Sequence, residues 1–227
     1  MSVAEGLASV RDRIARAAAA ASRDPADVKL VAVSKGKPAA MIREAYALGQ
    51  RDFGENYAQE LTEKAAELAD LPDVAWHFIG HLQSNKARHV ARVAHLVQTV
   101  DSPALARELG KRAKGEGYGD GKTLAVLIEV NVGGEAQKHG ASPAELGEMI
   151  AAVSAEPALA LRGLMTMPPH DLEAARRAFE ALASLQGLHG GRARLPELSI
   201  GMSDDLEIAI ACGATLVRVG TAIFGAR

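Results

Sequence analysis

Hydrophobic positions along the chain follow two periods in alternation. Val3, Leu7, Val10 and Ile14 recur at helical spacing among Arg11, Arg13 and Arg16, which predicts an amphipathic helix over about 3–21. Short apolar, β-branched runs then alternate with helical segments almost to the last residue. The strand-like runs fall at 28–34, 52–54, 76–80, 96–100, 124–131, 159–167, 198–201 and 215–220. Helices are expected at 39–48, 57–69, 85–94, 103–113, 143–154, 172–188 and 204–211, two of them opening on Ser-Pro.

Repeated βα units imply a parallel sheet, and about eight in one chain imply closure into a (β/α)8 barrel. An open doubly wound sheet is the runner-up, but no Gly-x-Gly-x-x-Gly follows the first strand-like run. The Gly-rich stretch 114–122 fits neither that fingerprint nor a Walker A loop, and is expected to be a flexible surface linker. The 227 residues suit one barrel domain over 1–227.

Composition narrows the class. Hydrophobic residues make up 48% and charged residues 24%, ordinary for a globular chain with a sizeable core. A formal net charge of −2 gives no general attraction to nucleic acid or an anionic membrane. The lone Cys212 excludes an intramolecular disulfide and reads as helix packing. No signal-peptide pattern or membrane-length apolar run is evident, so a cytoplasmic setting is expected.

Lys35 follows a strand-like run and precedes Gly36 and Pro38, which places its amine near a strand's C-terminal end. Barrels bind ligands at that end, and a lysine against apolar walls there can lose its proton and attack a carbonyl. The simpler alternative is a lysine reaching solvent. The last two strands end in turns of small residues, at Gly201-Met202-Ser203 and Gly220-Thr221. Such turns let backbone amides approach an anion, and barrels place phosphate sites at these loops. Capping by Ser203 and simple chain reversal at Gly220 are the alternatives for each turn alone. Together with Lys35, the turns suggest a phosphorylated aldehyde held as a Schiff base.

Arg218 shares a strand face with Gly220. A guanidinium donates to a pyridine nitrogen but cannot accept from it, so it disfavours the protonated ring and weakens an electron sink. A salt bridge at the barrel mouth is the alternative role. His77, His81, His89 and His95 show no metal-ligand motif and are read as ordinary surface or packing histidines, so no metal is expected. Trp76 is read as a core or rim aromatic.

Six segments carry a resemblance to a known family: LVAVSKGKP at 30–38, GQRDFGENYAQE at 49–60, WHFIGHLQSNK at 76–86, residues 129–140 with Asn131, Glu135, Lys138 and Gly140, LRGLMTMP at 161–168, and the C-terminal stretch from 198 to 227. The chain resembles the pyridoxal phosphate homeostasis protein family, also called the proline synthase co-transcribed or YggS-like family. That resemblance implies a barrel like the N-terminal domain of alanine racemase, with pyridoxal 5'-phosphate bound covalently. It implies Lys35 as the Schiff-base lysine, Ser203, Gly220 and Thr221 with Met202 at the phosphate, Arg218 at the pyridine nitrogen, and Asn56 in the pocket lining. Three departures stand out: Gly36 where threonine is usual, His81 where proline is common, and an end at Arg227 where relatives often continue.

The resemblance implies a non-catalytic carrier for vitamin B6 homeostasis, holding the cofactor as an internal aldimine and having no catalytic residue. PLP and PLP-dependent apoenzymes are the expected partners, with no nucleic acid or membrane, and the protein is expected as a monomer or weak dimer. In the racemase-like folds the second base of a two-base racemase comes from an extra domain and a partner subunit, and such a domain is not expected within these 227 residues. A low-efficiency PLP-dependent racemase or decarboxylase using Lys35 as base is the alternative. A sugar-phosphate aldolase is a third reading.

Overall fold

A computed structural model describes residues 2–135 and 137–226. The first helix, α1 (Val3–Ala20), opens with a capping box in which Ser2 accepts from the Glu5 amide and Glu5 accepts from the Ser2 amide. Eight strands follow: β1 (Lys29–Val33), β2 (Asp52–Glu55), β3 (Ala75–Phe78), β4 (Leu96–Val100), β5 (Leu124–Glu129), β6 (Leu159–Met165), β7 (Glu197–Ser199) and β8 (Leu216–Val219). All pair in parallel with their sequence neighbours, and β8 pairs with β1 to close the barrel, Val31 standing opposite Arg218. The closed barrel is the architecture expected from the sequence, and the open doubly wound sheet is set aside.

Helices after successive strands clothe the outside: α2 (Ala39–Ala47), α3 (Ala58–Glu67), α4 (Ala87–Val93), α5 (Pro103–Gly115), α6 (Leu146–Ser154), α7 (Leu172–Leu188), the short α8 (Gly191–Arg194), α9 (Leu206–Ala211) and α10 (Thr221–Phe224). A four-residue α10 is too short to cover the seam between β8 and β1. The N-terminal helix α1 supplies that cover, packing against α2, α9 and α10.

Two separate apolar clusters result. The larger lies between strands and helices, whereas Val31, Leu96, Leu127, Met165 and Leu216 form a small one inside the barrel. Strand alternation carries that inward face on from Leu127 to Glu129 and from Leu216 to Arg218. Val31 likewise leads to Lys35. Both Glu129 and Arg218 are buried.

Two expectations need correction. The 114–122 stretch is no loose linker: α5 runs into it, Gly119 and Lys122 exchange backbone hydrogen bonds, and the Lys122 ammonium sits 4.4 Å from the Tyr118 ring centroid. The helix expected from 204 begins at Leu206, and Ser203 does not cap it. Instead the Asp205 carboxylate accepts from the Met202 amide at 2.5 Å, tying down the turn before the helix. Trp76 lies within β3, buried against Phe53 at 6.0 Å between ring centroids. Half-buried Cys212 ends α9, and burial pushes its thiol up, consistent with packing rather than reactivity. Arg227 lies outside the described residues, as does Ala136 in the 129–140 segment.

Candidate functional site

The C-terminal ends of β1, β2, β3, β6, β7 and β8 surround a cavity of about 250 Å³. All the residues expected at the site line it: Lys35, Asn56, Met202, Ser203, Arg218, Gly220 and Thr221. His170, from the loop between β6 and α7, lines it as well and was not anticipated. No sequence period marks it, because it stands in an irregular loop. A larger depression of about 470 Å³ lies at the opposite end, beside Arg11, Lys29 and Arg51, away from the mouth where strand ends converge.

The turn bearing Lys35 is braced from behind. Ser34 donates to Glu55 Oε1 at 2.7 Å, and the Gly36 amide donates to Glu60 Oε1 at 2.6 Å. Lys64 joins these groups, its ammonium lying 2.7 Å from both carboxylates and 2.6 Å from the Ser34 carbonyl. Burial pushes the Glu55 carboxyl up, against the pull of Lys64 and Ser34. Gly36 takes φ of 69°, a left-handed conformation that disfavours the threonine usual in the resembled family. Of the lysines left without a role by the sequence, Lys37 donates to the Ala226 carbonyl at 2.8 Å and Lys138 pairs with Glu135.

Asn56 reaches the cavity because the chain after β3 passes very close to it. A side chain at Gly80 would put its Cβ 2.1 Å from the Asn56 carbonyl oxygen, so the glycine of WHFIG sets this approach. Asn56 Oδ1 is buried without a hydrogen-bond partner among the described residues. Glu55 Oε2 and Asn131 Oδ1 share this state, and a buried acceptor is usually satisfied by a donor from protein, water or ligand.

Arg218 is anchored rather than ion-paired. Its terminal nitrogens donate to Ser199 O at 2.8 Å, Ser199 Oγ at 2.6 Å, Thr166 O at 3.0 Å and Met167 Sδ at 3.3 Å. The expected alternative, a salt bridge at the mouth, is not found among the described residues. Burial pushes the guanidinium down to about 10, with Glu129 and Asp205 opposing, so it stays charged near neutral pH. Burial conversely pushes Glu129 up to about 7, Asp101 adding to the rise and Arg218 opposing it.

Below the cavity, Ser199 Oγ donates to Gln98 Oε1 at 2.6 Å. The Gln98 amide meets His77 Nδ1 at 2.9 Å, and His77 Nε2 meets Asp52 Oδ1 at 2.9 Å. With Gln98 as donor, a neutral His77 carries its proton on Nε2, and every donor in the chain points away from Arg218 toward Asp52. A cation at the mouth is thus joined through the barrel axis to a carboxylate at the far end. Burial tends to raise the Asp52 carboxyl, but His77 and Lys29 hold it below its usual value.

These residues fit a phosphorylated aromatic aldehyde: an amine, a fixed cation, hydroxyl-bearing turns and an amide side chain surround one small cavity. Comparison with known proteins agrees with the architecture. The family model for the alanine racemase N-terminal domain matches residues 6–227. The pyridoxal phosphate homeostasis protein of Pseudomonas aeruginosa is 51% identical over 227 residues, covering 99% of this chain and 96% of that relative. Its Escherichia coli K12 counterpart is 45% identical over 230 residues, covering 99% and 97%. PipY of Synechococcus elongatus, solved with PLP bound, superposes with a TM-score of 0.83 at 41% identity, covering 99% of this chain and 100% of that one. A chain matched end to end at these identities, on a barrel of this form, belongs to the pyridoxal phosphate homeostasis protein family.

Proposed function

We propose that the protein binds pyridoxal 5'-phosphate at the β-barrel mouth through Lys35 and serves to hold and supply it, rather than to turn over an amino acid. The observation that carries this reading is the meeting of Lys35, Arg218, Asn56 and the Ser203 and Thr221 turns around one cavity. When bound, the cofactor supplies an aldehyde that a lysine amine captures with loss of water.

The chain's own residues then have distinct tasks. The brace of Glu55, Glu60 and Lys64 fixes the backbone on both sides of Lys35 and so aims its amine. Ser203 and Thr221 offer hydroxyls, and the turn at Gly220 offers a close backbone, to the phosphate. Asn56 lines the other side. Arg218 faces the ring nitrogen as a donor that cannot give up its proton near neutral pH, which mutes electron withdrawal and favours holding over chemistry. In this reading the recipients are PLP-dependent apoenzymes, the setting is the cytoplasm and the protein is a monomer or weak dimer. No helix among the described residues is long and apolar enough to cross a membrane.

The test is a visible absorption spectrum of the purified protein, then borohydride reduction and mass mapping. Pyridoxyl label on Lys35, with no turnover of candidate amino acids, is the expected result. Label confined to another lysine, or steady turnover lost in Lys35→Ala, overturns it.

A further inference from the structure

Three loops that follow adjacent strands converge at the mouth on the side away from Lys35. His81 comes from the loop after β3, Asp101 from the end of β4, and His139 from the loop after β5. One donor atom from each lies within 4.8 Å of the other two. His81 Nδ1 stands 3.3 Å from Asp101 Oδ2. The two imidazoles stack with ring centroids 3.7 Å apart and planes at 11°. Among the described residues no protein group hydrogen-bonds to the His139 ring, which is exposed.

We infer that His81, Asp101 and His139 form a binding site for a borderline-soft divalent cation such as zinc. Two imidazole nitrogens and one carboxylate oxygen are the donor set that such ions prefer, and a three-ligand site keeps an exchangeable position. The separations are within reach of closure. Zinc bonds of about 2.0–2.2 Å require an inward movement of the two exposed histidines toward the half-buried Asp101. A metal lies near the plane of each imidazole that binds it, and two parallel stacked rings share no such plane, so one imidazole turns about its Cβ–Cγ bond on binding. Exposed His139 has room to do so.

The alternative is a histidine stack with a simple ion pair to Asp101. The site departs from the sequence expectation that His81 is an ordinary histidine and that no metal binds, because the three positions share no ligand spacing and only the barrel's strand order brings them together. The cation would bridge three successive loops, one of which carries Asn131 and Lys138. Nothing here depends on the cofactor reading, since none of the three residues lines the Lys35 cavity.

Zinc titration of the chelator-treated full chain by calorimetry tests the site, with cobalt absorption as a second readout. One saturable equivalent and ligand-field bands of nitrogen-bound cobalt are expected. Loss of outer partners alone weakens metal sites by about 10–100-fold, so His139→Ala and His81→Ala should each weaken binding by about tenfold or more. His89→Ala, an exposed histidine on α4, should leave it unchanged. Absence of saturable binding, or equal loss in His89→Ala, overturns the site. So does stoichiometric binding that survives His139→Ala. The Lys35 label reports separately on the cofactor reading, so the two failures are distinguishable.

Discussion

The Lys64 ammonium lies 2.7 Å from Glu55 Oε1, with Lys64 6% exposed and Glu55 fully buried, directly behind the turn that presents Lys35. Removing the cation leaves a buried carboxylate with no counter-charge. Lys64→Met should therefore destabilise the fold by about 3–5 kcal/mol, and Lys64→Met with Glu55→Gln should recover part of that loss. Urea unfolding of both variants measures it.

The serine beneath Arg218 offers a second test. Ser199→Ala removes the hydroxyl shared by Arg218 and Gln98 and strands the Gln98 carbonyl in the barrel interior. Leaving one buried acceptor unmade costs about 1–3 kcal/mol. The denaturation midpoint should fall while the slope of the transition stays the same.

Glu129 makes stability depend on pH. In the folded protein its carboxyl holds a proton up to about 7, against 4.5 for an ordinary glutamate. Between those values the folded state binds more protons than the unfolded chain. The contribution is therefore full below about pH 4.5 and is lost as pH rises through about 7, a loss of about 3 kcal/mol. Glu129→Gln should remove this fall. Midpoints at about pH 5 and about pH 8 in PLP-free wild type and variant measure the difference.

Position 36 tests the departure from the family pattern. Gly36→Thr places a β-branched residue at φ of 69°. Such residues cost about 1–3 kcal/mol in the left-handed region, so the variant should lose stability unless the turn rearranges. Thermal unfolding gives the cost, and rearrangement would show as altered borohydride labelling of Lys35.

At the turns proposed to hold the phosphate, Ser203→Ala should weaken PLP retention. A hydrogen bond to a charged group is worth about 1.5–3 kcal/mol, or about tenfold to a hundredfold in affinity. Equilibrium dialysis of PLP measures the loss.

Much of the fold was legible because two periods alternate without interruption. Each expected strand is present, and the turn at Lys35 follows from the Gly-Lys-Pro that ends the first run. The shared face of Arg218 and Gly220 follows from strand alternation alone. Segment 114–122 misled because glycine density signals backbone freedom, not whether Tyr118 finds a partner to order the turn. The start of α9 was misplaced because Asp205 closes the preceding turn instead of entering the helix.

By itself the sequence determined the βα order, an amine at the end of β1, small-residue turns after β7 and β8, and the family. These are local matters, set by side-chain period, turn residues and motifs contiguous in the chain. Tertiary structure alone decided that α1 seals the seam beside α10 and that Arg218 is held by carbonyls rather than an acid. It also decided that Asp52, His77, Gln98, Ser199 and Arg218 connect through the barrel. Those five residues come from five strands. Their contacts depend on the register in which the strands close around the barrel, and register is a relation between strands that spacing along one chain does not carry.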